Sequence, residues 1–93
     1  MSMNRIKKIN FSLQTLYSFL ELVDGQRNGS DIFKRSDKLS MSTIYNYMSI
    51  LRSKGFLNVR RVGPQLIPSL TEKGQRLREI LKDLVEGGVR YEN

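Results

Sequence analysis

The chain contains no cysteine and no histidine in its 93 residues. Without cysteine there is no disulfide and no thiolate, and without histidine no imidazole ligand and no nucleophile–histidine pair. Its glycines are dispersed, and no glycine-rich phosphate loop precedes a helix. Its carboxylates read as helix-surface residues, so neither catalysis nor a bound metal or cofactor is expected. No window approaches the roughly 20 apolar residues that a membrane-spanning helix needs. Arg5, Lys7 and Lys8 precede an apolar stretch over residues 11–23 and mimic a secretory leader, but Gln14 and Glu21 interrupt it and no small-x-small cleavage site follows. Those cations lie before the helix and not along one face, which argues against a membrane-surface helix. A cytoplasmic protein is expected.

Negative charge is scarcest where positive charge is densest. Residues 32–71 hold Lys34, Arg35, Lys38, Arg52, Lys54, Arg60 and Arg61 against the single anion Asp37, six of the net seven positive charges of the chain. The two flanking stretches are close to neutral. Such a confined positive potential points to a polyanionic partner. At this length residues 1–93 read as one domain, which buries only about 60–65% of its unfolded surface and would gain from a dimer interface.

The order of elements explains what that basic segment is. Ser12 is placed to cap a first helix with Leu13, Leu16, Leu20 and Val23 on one face, ended by Asp24-Gly25. Phe19 and Leu22 fall on a second face, which predicts two packing partners, one of them another subunit. After the polar loop 26–29, a short helix over residues 30–36 should turn Ile32 and Phe33 inward and Lys34 and Arg35 outward. Leu39 is expected to be buried. Ser40 then caps a helix running to about Lys54 and stopped by Gly55, with Ile44, Met48 and Leu51 on its inner stripe and Tyr47 beside them. At about 1.5 Å per residue this helix is long enough to lie in a major groove.

Residues 56–62 are rich in β-branched and aromatic types, 63–65 signal a turn, and 66–70 return with Pro68 at an edge, which predicts a two-stranded wing over about 56–70. Thr71 caps a last helix with Leu77, Ile80, Leu81, Leu84 and Val85 as apolar positions. The fold class is α+β, mostly α: about four helices and a two-stranded β-wing, the order of a winged helix-turn-helix.

Function follows from the outer face of the helix over about 41–54. Ser42, Thr43, Tyr45, Asn46 and Ser49 are the candidate base contacts: Asn46 suits adenine, the hydroxyls suit several bases, and Tyr45 suits a thymine methyl or a phosphate. Lys34, Arg35, Lys38, Ser40, Arg52 and Lys54 are assigned to the phosphate backbone, Ser40 chiefly as the cap. Arg60 and Arg61 alternate across a strand, so a regular wing turns one of them to the nucleic acid.

The run STIYNYMSILRSKGFL, a wing, and then LTEKGQRL resemble the winged-helix transcriptional regulators of the MarR and PadR kind over roughly residues 28–78. These relatives share a polar-capped recognition helix ending in a Lys-Gly-hydrophobic step and a post-wing helix opening with Leu-Thr-x-x-Gly. The resemblance implies a duplex-DNA regulator acting as a homodimer built from the N-terminal region and the last helix, for which Ile9, Phe11, Phe19, Leu77, Leu81 and Leu84 are the candidate interface residues. The sequence departs from the pattern in carrying Asn46 where many relatives have arginine, and in terminal helices shorter than those that enclose an effector pocket. In size and pattern it is similar to the compact winged-helix proteins of crenarchaeal spindle-shaped viruses, for which the compartment would be the host cytoplasm. The alternative is a winged helix used for protein or RNA contact without sequence-specific DNA binding. The basic, polar face argues for DNA, because a protein-contact face is typically apolar and depleted of lysine.

Overall fold

The computed structural model describes residues 12–87, and the expectations for Ile9 and Phe11 lie outside them. Three helices come first, α1 (Leu13–Leu22), α2 (Gly29–Arg35) and α3 (Met41–Ser53). The strands β1 (Leu57–Val62) and β2 (Gln65–Leu70) follow, then α4 (Glu72–Lys82), which runs into a single π-helical turn, Asp83–Gly87. Phe19, Leu20, Val23, Ile32, Leu39, Ile44, Tyr47, Met48, Leu51, Leu57 and Leu81 form one buried cluster. The Tyr47 ring meets Phe19 with centroids 5.4 Å apart, a tilted aromatic pair at its centre.

Each helix begins on a side-chain cap. Ser12, Ser40 and Thr71 accept from the backbone N–H of Thr15, Thr43 and Gly74. Asn28 was expected in a loop but closes a full capping box: its Oδ1 accepts from Asp31 N–H at 2.8 Å and Asp31 Oδ2 accepts from Asn28 N–H at 3.1 Å. α3 ends in a Schellman motif, with Phe56 N–H donating to the Leu51 carbonyl at 2.8 Å and Gly55 N–H to that of Arg52 at 3.1 Å. Gly55 sits at φ +85°, which an L side chain adopts only under strain.

The wing is tighter than expected. Val62 pairs with Gln65, so the turn is Gly63-Pro64 alone, with Gly63 at φ +61° as a two-residue hairpin requires. Pro68 faces Val59 in the register, and its carbonyl accepts from Gly25 N–H at 3.1 Å on the other side of β2. The α1–α2 loop therefore covers the edge that proline marks.

Three packing expectations are corrected. Phe33 is 44% exposed, because a seven-residue helix turns little more than Gly29 and Ile32 to the core. Phe19 is fully buried: the second face of α1 is covered inside the protomer, where α1 packs on both α4 and α2. Leu81 is also buried, and Ile80 (57% exposed) and Leu84 (50%) carry the outward apolar surface of the last helix. The π-helical turn is held to α1 by the Tyr17 hydroxyl, which donates to Glu86 Oε2 at 3.0 Å. Burial, reinforced by the carboxylates of Glu21 and Glu86, raises the Tyr17 phenol above its ordinary range.

The wing base is locked to both flanking helices. Thr71 donates its hydroxyl to the Gly55 carbonyl at 2.7 Å and its N–H to the Phe56 carbonyl at 3.1 Å. Lys73 Nζ donates to the Lys54 carbonyl at 2.8 Å and lies 4.6 Å from the centre of the Phe56 ring. A methyl group at Gly74 would collide with the Phe56 carbonyl oxygen, so only glycine permits this approach. Gly74→Ala is predicted to lower stability by about 1–3 kcal/mol, read as a lower urea midpoint; an unchanged midpoint would show that the approach is not constrained.

The Asp24 carboxylate accepts from the N–H groups of Arg27 at 2.9 Å and Gln26 at 3.0 Å, which hold it below the ordinary carboxylate range. A depressed carboxylate adds stability above its unfolded value, about pH 4, and loses it as pH falls through the lower folded value. Asp24→Ala should therefore be less stable than wild type near neutrality, with the gap closing in acid; a gap independent of pH would contradict this.

Candidate nucleic-acid interface

α3 owes its orientation to its inner stripe. With Ile44, Tyr47, Met48 and Leu51 buried, the helical period turns Ser42, Asn46 and Ser49 outward, and all three are exposed. Its N-terminus is a hydroxyl cluster: Ser40 Oγ donates to Thr43 Oγ1 at 2.9 Å and lies 3.3 Å from Ser42 Oγ. Thr43 is half-buried and taken up by this cap, so its side chain is less available than those of Ser42 and Asn46. Ser40 is occupied in the same way, which makes its role the cap.

Tyr45 is 40% exposed, but its ring leans on α2. A Cβ at Gly29 would lie 2.9 Å from the Tyr45 hydroxyl oxygen and 3.4 Å from Met48 Cε, so the ends of both side chains pack directly over Gly29. Tyr45 thus joins the seam between the two helices of the helix-turn-helix to the outer surface. Tyr47 is core, and its hydroxyl lies 3.1 Å from Thr15 Oγ1.

The cations lie on the elements that flank this face in the chain and at its end. Lys34, Arg35, Lys38, Arg52, Lys54 and Arg61 are all exposed, and none of them forms an ion pair among the described residues, where the ion pairs are Arg27 with Asp24 and Arg76 with Glu72. Arg35 and Lys38 line a shallow groove with Glu21 and Asp37, none of them within ion-pair distance. Lys34 and Arg35 share an open groove of about 430 Å³ on α2 with Arg27 and Asp31. Arg60 and Arg61 stand on opposite faces of the hairpin, as alternation requires. Arg60 is not free: its guanidinium donates to the Gly25 carbonyl at 3.1 Å.

Several residues of this surface were not singled out from the sequence. Ile50 is 39% exposed one turn beyond Asn46 and offers an apolar group of the kind that meets thymine methyls. Its signal was its position off the stripe of residues 44, 48 and 51. Lys73 holds the end of α3, and only the contact between the two quoted motifs reveals it.

Helix, helix-turn-helix, two-stranded wing and closing helix define a winged helix-turn-helix protein. The chain is similar to the crystal structure of SSV1 F-93, a small viral winged-helix protein, at 26% identity over 75% of this chain and 80% of that one, with a TM-score of 0.59. No family model matches the chain, and no curated protein matches it. No helix among the described residues is long and apolar enough to cross a membrane.

Asn46→Ala is predicted to weaken binding to a specific duplex by about 1–3 kcal/mol while leaving random duplex nearly unaffected. Competition titrations with the two DNAs measure this, and equal losses on both would remove Asn46 from base reading.

Proposed function

We propose that this protein is a sequence-specific duplex-DNA-binding regulator of transcription, without catalytic activity, that acts as a homodimer. α3 lies in the major groove, with Ser42, Asn46 and Ser49 at base edges and Tyr45 and Ile50 at the margins, and the wing reaches the minor groove or its phosphates through Arg61. The observation that carries this reading is the outer face of α3: hydrogen-bonding side chains without cations at its centre, with exposed cations on α2, the end of α3 and the wing that make no ion pair among the described residues. That division matches the separation of base reading from phosphate neutralisation. A protein-docking surface is supported less well, since Lys34, Lys38 and Lys54 are of the type depleted from such interfaces.

The dimer reading rests on α4. Leu77, Ile80 and Leu84 recur at helical spacing, with Ile80 and Leu84 half exposed or more. Residues 72–78 carry Lys73, Arg76 and Arg78 against Glu72, whereas residues 79–86 carry Glu79, Asp83 and Glu86 against Lys82. Two copies of α4 packed antiparallel would set the positive half of each against the negative half of the other. Two recognition helices so paired would address successive major grooves about 34 Å apart and favour a pseudo-palindromic site.

The test is titration of a fluorescent random-sequence duplex at several salt concentrations, with the mass in solution measured alongside. The reading predicts a dimer whose affinity falls log-linearly with salt, and a monomer for the double variant Ile80→Glu, Leu84→Glu. Absence of binding at low salt would overturn the DNA reading. A monomeric wild type, or a dimeric double variant, would overturn the α4 interface.

A further inference from the structure

Arg60 and Arg61 look equivalent as wing cations, yet their surroundings differ. Gly25 is gripped from both strands of the wing: its N–H donates to the Pro68 carbonyl of β2 at 3.1 Å, and its carbonyl accepts from the Arg60 guanidinium of β1 at 3.1 Å. Arg60 faces Ile67 in the register, and Gly25 lies beyond β2, so the Arg60 side chain spans β2 to reach it. Ile67 is buried although Asn58, Val62 and Gln65 in the same row are exposed. A Cβ at Gly25 would lie 3.5 Å from Ser69 Cβ, so the loop rests on that face of the hairpin, and Gly25 itself holds φ +81°.

The loop is fixed at its other end too. The Asp24 carboxylate accepts from Gln26 and Arg27 N–H, Arg27 Nη1 donates to the Leu22 carbonyl at 3.3 Å, and Asn28 caps α2. Wing, loop and first helix of the helix-turn-helix are thereby joined through one residue, Gly25, whose N–H and carbonyl both engage the wing.

We propose that Arg60 is a positioning residue: with Gly25 it forms a clasp that fixes the angle of the wing against the helix-turn-helix, leaving Arg61 as the wing's phosphate contact. The proposal divides between two adjacent arginines a role that charge alone would share. It rests on the DNA-binding reading for its consequence, but the clasp itself is a property of the free protein. A wing free to swing would pay an ordering cost on docking, whereas a clasped wing arrives in place.

The experiment has two arms, using the full chain and the variants Arg60→Met, Arg60→Lys and Arg61→Met. In the free protein, amide hydrogen exchange at Gly25 should quicken roughly three- to tenfold in Arg60→Met, the loss of one hydrogen bond of ordinary net strength. Met48 and Leu51 in α3 should keep their protection, and Arg60→Lys, which retains a donor, should restore part of that at Gly25. Arg61→Met should leave exchange unchanged. On duplex DNA, Arg60→Met should weaken binding with the salt slope of wild type, whereas Arg61→Met should flatten the slope by about 0.9, the counterion share of one phosphate. Unchanged Gly25 exchange in Arg60→Met, or a slope flattened as in Arg61→Met, would overturn the positioning role. Failure of wild type to bind duplex would overturn the functional reading, and the exchange arm would still decide the clasp.

Discussion

The structure depends on one close approach, that of the Gly74 backbone to the Phe56 carbonyl. Around it Thr71 caps α4, bonds to the Gly55 carbonyl and ties its N–H to Phe56, while Lys73 takes the Lys54 carbonyl. The end of α3, the root of the wing and the start of α4 are thus one unit. The Lys-Gly-hydrophobic step and the Leu-Thr-x-x-Gly run are the two halves of this unit: glycine at 55 for its left-handed backbone, threonine at 71 for a hydroxyl that both caps and donates, and glycine at 74 for the space. A groove reader requires such a lock, because base contacts demand a helix held at fixed register and angle.

With α3 fixed, its outer face is defined by subtraction. The core takes Ile44, Tyr47, Met48 and Leu51, the cap takes Ser40 and Thr43, and the seam with α2 takes part of Tyr45. Ser42, Asn46, Ser49 and Ile50 remain exposed. The segment 32–71 that carries α3 and the wing holds seven cations against one anion, so its net charge is strongly positive.

Much of this was legible in the chain. Element order, the caps at Ser12, Ser40 and Thr71, the stop at Gly55 and the buried stripe of α3 follow from local chemistry and period, which act within a few residues. The errors lie where a partner distant in sequence decides. Phe19 reads in sequence as part of a second apolar face, whereas in the fold it is buried within the protomer against Tyr47 of α3, 28 residues away. The apolar positions of the last helix do not say which of Ile80 and Leu81 turns inward, since they are neighbours and both fit a helical stripe. Alternation separated Arg60 from Arg61 but could not say which was engaged, because Gly25 is 35 residues away. The Asn28 box was readable from its Asn-x-x-Asp spacing and was obscured by the polar residues around it.

In the proposed function α3 and the wing, not α4, meet duplex DNA. Amide chemical-shift mapping during titration with a short duplex tests it most directly. Shifts should concentrate on residues 42–52, the wing turn around Arg61, and Lys34 and Arg35, with α4 undisturbed. Shifts confined to α4, or none at low salt, would contradict it.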